Sequence, residues 1–347
     1  MRPFLLLSAV LLLSAASSAC GEPIYLCDQR GEHPAIPAWD PQTLPQLYNP
    51  AENPFDQPIA ADPVIHADSA TMVRALEKDF ADKGLTVGVE QWTEPVYLAD
   101  ASTPRQDIKL RAGWSPYKRM LDVPIPPEAR PDPSYDGEMV VLDLDAGVEY
   151  DFWQYCHDPE ASYASWVNLL EFGGDGFFPT GMGTRAAGSA ALNGIIWPYE
   201  LAAGAIEHAL AFSFNLTRAG GPVAPATADD GTTRGDESIP EGARVQLDPA
   251  LDVSTLGLSP AQETIARAMQ VYGMYLIDDG GGIQLYAVNP QSLSDPDPYG
   301  AFFTLDAEGL APFPESFPVD RFRVLDFGPQ DPEATGNGHV LHPERYE

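Results

Sequence analysis

Four acids crowd one short stretch of this chain: Asp143, Asp145, Glu149 and Asp151. With 139–144 and 148–155 as strands joined at Asp145-Ala146-Gly147, Asp143 and Asp145 project from one face, about 7 Å apart along the chain. Paired carboxylates of this kind are what a β-sandwich glycosidase sets over a cleft, one raised in pKa as proton donor and one ionised. Trp153, Tyr155 and Trp166 follow closely enough to stack on sugar rings. The pattern also has a plainer account. Val140, Leu142 and Leu144 fall on the opposite face, so both acids fit equally as the solvated side of a half-buried strand.

His208 is the second candidate. Alternation over 206–214 places it on one face with Ile206, Leu210, Phe212 and Phe214. A histidine on an apolar face must find a hydrogen-bond partner, and Glu200 in the preceding turn or Asp143 would serve. The residue then acts as a general base or as a satisfied core histidine. The catalytic set expected from sequence is therefore Asp143, Asp145, His208 and Glu200, with Trp153, Tyr155 and Trp166 binding substrate. No G-x-S-x-G elbow supplies a nucleophile, which argues against an esterase or peptidase. Neither H-E-x-x-H nor C-x-x-C occurs, so no zinc site is expected. No cofactor is expected either, calcium being the one ion with candidate ligands. These are the acid-rich turns Asp229-Asp230-Gly231, Asp278-Asp279-Gly280 and Gly173-Gly174-Asp175-Gly176, none of which matches the EF-hand loop and all of which turn formation alone explains.

Charge narrows the ligand classes. Against 19 Lys and Arg stand 51 Asp and Glu, a formal net charge of -32. Such a field repels nucleic acid, anionic headgroups and polyanionic glycans, and favours neutral or cationic ligands and divalent ions. It equally serves as a solubility device.

The N-terminus reads as an export signal. Arg2 precedes an apolar and small-residue run over 3–16, then Ser17-Ser18-Ala19 and Cys20. Cleavage after Ala19 would leave Cys20 first and ready for lipid, although Ser17 departs from the usual lipobox leucine. The expected location is the periplasm or cell surface, with the membrane as partner through that lipid. Cys27 and Cys156 then remain as an even pair in an oxidising compartment, suited to a disulfide.

Residues 1–19 form the leader. Residues 20–64, rich in proline, form an extended arm or tether, part of which docks through Trp39, Tyr48 and Phe55. Residues 65–345 form a single β-rich domain. A helix is expected over 69–80, and a better-marked one begins at Ser259, where Pro260 and Gln262 complete a capping box. Strands are expected at 85–89, 95–98, 108–110, 139–144, 148–155, 205–215, 243–247 and 321–327, with 274–278 and 283–288 as a hairpin about Asp279-Gly280-Gly281-Gly282. Residues 115–136 read as a long surface loop. Many short strands and few helices predict a mainly β fold, an antiparallel two-sheet sandwich with two or three peripheral helices, with α+β as the alternative.

The C-terminal part also carries a family-like pattern. Glu200, Gly204, Ile206, His208, Ala209 and Leu210 are followed by Arg244, Leu247, Asp248 and Pro249, then Tyr272-Gly273-Met274, then Phe322, Val324 and Leu325. Over roughly 190–327 this resembles a family of exported bacterial proteins of uncharacterised activity, with Ala190-Ala191-Leu192-Asn193 in place of the usual glycine pair. The resemblance implies one domain there and carries no established activity to borrow. Two functions follow from the sequence: a lipid-anchored envelope protein of structural, adhesive or ligand-binding role, or a hydrolase of neutral polysaccharides.

Overall fold

A computed structural model describes residues 34–157, 161–179, 181–334 and 340–347. The leader, the lipidation site Cys20 and the Cys27 end of the Cys27–Cys156 pairing lie outside the described residues.

Helix α1 (Ser69–Lys83) leads into β1 (Leu85–Gly88), β2 (Val96–Ala99), β3 (Arg105–Leu110) and β4 (Arg119–Pro124). Next come β5 (Met139–Asp143), β6 (Val148–Trp153), β7 (Tyr163–Ala164) and β8 (Trp166–Glu171), then α2 (Pro198–Ala203) and β9 (Leu210–Phe214). The last third contributes β10 (Arg244–Leu247), α3 (Pro260–Val271), β11 (Met274–Asp279), β12 (Ile283–Tyr286), β13 (Leu310–Pro312) and β14 (Phe322–Val324).

The fold is mainly β and sandwich-like, with layered sheets and few helices, as the strand pattern implied. Among the described residues the strands form three sheets, ordered β13-β1-β12-β9-β11-β10-β14, β2-β5-β6-β8 and β4-β3-β7. Most neighbours are antiparallel, but β1 and β12, β9 and β11, β2 and β5, and β3 and β7 run parallel. Strand alternation builds the layers. On β11, Met274 and Leu276 meet Met72, Leu76, Ile265 and Met269 of α1 and α3, while Tyr275 and Ile277 face the other way. That second face packs through a loop layer onto Val140 and Leu142 of the middle sheet. Met139 and Val141, on the far side of β5, pack on Ile108, Met120 and Val123 of the smallest sheet.

Local chemistry sets the helix ends. The Ser259 hydroxyl accepts from the Gln262 amide at 3.2 Å and the Gln262 side chain accepts from the Ser259 amide at 3.0 Å, closing the expected capping box. Helix α1 stops at Gly84, whose φ of 81° suits a residue without Cβ.

Three expectations need correction. Strands β11 and β12 are not a hairpin: β9 lies between them, parallel to β11 and antiparallel to β12. The fully buried run Leu210–Phe214 requires neighbours on both edges and covered faces, which a two-stranded ribbon cannot provide. Residues 115–136 are not all loop, because β4 lies within them and pairs with β3. His208 precedes β9 instead of lying within it.

The described part of the arm is packed on the body. The Trp39 indole donates to the Ser292 carbonyl at 2.9 Å, Tyr48 is buried with its hydroxyl on Glu149, and the Phe55 ring lies 4.8 Å from that of Tyr275.

Candidate functional site

Antiparallel pairing brings the start of β5, the end of β6 and the start of β8 to one end of the middle sheet, with Met139 opposite Phe152 and Trp153 opposite Trp166. Asp136 and Glu138, just before β5, therefore lie beside both tryptophans. Asp278 and Asp279 reach the same place from the end of β11. The β11–β9 register shifts between Leu276 and Asp278. Such an irregularity re-aims side chains, and it turns Asp278 away from the helix-side core that holds Leu276.

Two cavities meet at these acids. One, of about 550 Å³, is lined by Trp92, Arg185 and Tyr286; the other, of about 440 Å³, by Trp114, Trp153, Trp166, Asp229 and Asp230. Asp136, Glu138, Asp278 and Asp279 line both. Trp114 and Trp153 are half-buried and present ring surface to the cavity, whereas Trp166 is 0% exposed and floors it, its indole donating to the Met182 carbonyl at 2.7 Å.

A buried cation organises the acids. Arg185 pairs with Glu94, reaches Glu138 at 3.4 Å and Asp278 at 3.7 Å, and stacks its guanidinium 3.7 Å over the Tyr286 ring. Thr184 donates to Glu138 at 2.8 Å. Burial pushes the Glu138 carboxyl up, Arg185 opposes it, and the neighbouring Asp136 charge adds to the rise. Asp136 is likewise raised by burial, against a hydrogen bond from the Trp153 indole that favours its ionised form. Asp278 lies well above the usual range through burial and the Asp230 charge, with Arg185 opposing. Asp279 is pushed up to about 6 by burial and Asp230.

The residues expected from sequence scatter over four places. Trp153 and Trp166 line the cleft. Asp143 and Asp145 do not, because they lie at the opposite end of β5 from Glu138, roughly 15 Å away along the strand. Nor is Asp143 on a solvated face: β5 is covered on both sides, and Asp143 is 0% exposed, paired to Arg105 and accepting from the Ala146 amide at 3.0 Å. Asp145 is exposed and accepts from the Ala101 amide at 2.8 Å. Tyr155 is buried in the core beneath the smallest sheet, its hydroxyl on Ser162 at 3.3 Å.

Glu200 and His208 do meet, at 3.0 Å, in a third cavity of about 440 Å³ between the arm and the body. Burial there lowers the His208 pKa, but the Glu200 carboxylate, the Ala209 carbonyl and the Asp56 charge together outweigh it and the net shift is upward.

Asp136, Glu138, Trp92, Trp114 and Arg185 were missed in the sequence. The visible signal was the approach to β5, Asp136-Gly137-Glu138, two acids flanking a glycine beside a strand already singled out for its acids. Two of the three acid-rich turns, at Asp229-Asp230 and Asp278-Asp279, do converge.

Among the described residues no helix is long and apolar enough to cross a membrane. No family model, curated protein or solved structure matches the chain, so the likeness over 190–327 rests on sequence alone.

Proposed function

We propose that this is an envelope protein that binds a neutral glycan in the cleft at the end of the middle sheet. Sugar rings stack on Trp114 and Trp153, and hydroxyls bond to Asp136 and Glu138. The protein is exported, held by lipid on Cys20, and its arm is tied down by a Cys27–Cys156 disulfide. One observation carries the reading: half-buried tryptophans and carboxylates line the same concave surface. The acidic field supports a ligand without negative charge. Calorimetry of the purified protein against neutral oligosaccharides tests it. Saturable binding is expected, weakened roughly tenfold by Trp153→Ala, the worth of one aromatic platform. Absence of binding across the panel, or binding indifferent to Trp153→Ala, would overturn it.

A second reading, hydrolysis of the bound glycan, is favoured by the Asp136–Glu138 pair. Burial and the Asp136 charge both raise the Glu138 carboxyl, the direction that a proton-donating acid requires. New reducing ends that vanish in Glu138→Gln and persist in Asp143→Asn would support it. Equal rates in Glu138→Gln and wild type would remove Glu138 from the chemistry.

A further inference from the structure

We infer that Asp230, Glu241 and Asp278 form a calcium site on the wall of the cleft. One carboxylate oxygen from each lies within 4.8 Å of the other two. Three oxygens bound to one calcium ion at about 2.3–2.6 Å stand up to about 4.5 Å from one another when equally spaced, so at most a small side-chain adjustment seats this ion in the group. Magnesium, at about 2.0–2.1 Å, needs the three oxygens drawn in to about 3.6 Å from one another and so demands the larger adjustment. The donors are all carboxylate oxygens, with no thiolate or imidazole among them, which selects a hard cation.

The independent observation is Glu241 itself. It is 0% exposed, and among the described residues neither of its carboxylate oxygens has a hydrogen-bond donor, their polar neighbours being the Asp230 and Asp278 carboxyls themselves. A buried carboxylate left without a partner is costly to desolvate unless something else satisfies it. Its backbone is fixed on both sides. The Val223 amide donates to the Glu241 carbonyl at 2.8 Å, and the next residue, Gly242, donates to the Leu276 carbonyl at 2.8 Å with a φ of 87°. A Cβ at Gly242 would collide with the Val223 carbonyl. Glu241 is therefore held pointing at Asp230 and Asp278 instead of swinging to water. Arg185, the cation paired with Asp278, is already shared among Glu94, Glu138 and Asp278. Access is open, since Asp230 is exposed and both it and Asp278 line the cleft, where water completes the coordination shell. The inference does not rest on the glycan reading, because the ion itself is the ligand.

The test uses the full purified protein stripped with chelator and titrated with calcium chloride alone, followed by calorimetry and by thermal melting. One equivalent of calcium is expected, bound more tightly than magnesium, with a rise in Tm as the ion binds the native state. Asp230→Asn, at an exposed position that leaves the core intact, and Glu241→Gln should each weaken binding by roughly tenfold or more, because affinity follows ligand charge. Asp145→Asn, an acid in a distant turn, should leave it unchanged. No saturable binding up to millimolar calcium, roughly the weakest range of extracellular calcium modules, would overturn the site. So would binding that survives both Asp230→Asn and Glu241→Gln, or tighter binding of magnesium. Loss of glycan binding with calcium binding intact would leave this site standing and remove only the earlier proposal.

Discussion

Arg185 holds a positive charge where water does not reach, and Glu94, Glu138 and Asp278 are the reason it stays charged. Removing it leaves buried acids uncompensated. Arg185→Met should destabilise the protein by about 3–5 kcal/mol at neutral pH in denaturant unfolding, and by less on acidification as those carboxyls take up protons. His208 gives a second check with a worked sign. Its folded pKa is raised, so the Glu200 pair contributes full stability below the ordinary histidine value of about 6.5 and loses it as pH rises through the folded value. The Tm difference between wild type and His208→Asn should shrink as pH rises above about 6.5 and the raised histidine deprotonates. The Glu200 partnership was legible because a histidine among apolar residues needs an acceptor and Glu200 lies one turn upstream. Arg185 was not. Nothing local marks an arginine in a glycine-rich segment as the centre of acids drawn from Glu94, Glu138 and Asp278.

Among the elements, those governed by local chemistry were the most readable. The Ser259 capping box is present atom for atom, and Ser259→Ala should cost about 1 kcal/mol in unfolding free energy without altering the cleft. Strands β5 and β6 were located closely, yet the acids singled out from sequence lie at the end of β5 away from the cleft. The turn at Asp145 carries the denser acids, but it lies where Arg105 closes the edge, and the open end is the one that begins with Glu138. The false hairpin has a similar cause. A glycine-rich connection between two apolar strands signals a tight turn, and only tertiary pairing shows that the buried strand β9 occupies the gap.

For the whole molecule, excess negative charge meets an interior that also contains acids, and stability should respond to pH accordingly. Asp132, buried and accepting from the Ser134 amide, is pushed up to about 7 by burial. A carboxyl whose folded pKa lies above its unfolded value binds protons preferentially in the native state, so stability rises as pH falls from about 7 towards about 4. The protein should melt higher at pH 5 than at pH 8, and Asp132→Asn should reduce that difference. The mainly β class was legible from the short strands and turn residues. The third sheet and the parallel pairs were not, since alternation reports faces and not neighbours. The most direct test of the cleft assignment is a crystal structure of the protein soaked with a neutral oligosaccharide. The account requires sugar density against Trp114 and Trp153 within reach of Asp136 and Glu138; density only in the groove beside Glu200 and His208, or none, would contradict it.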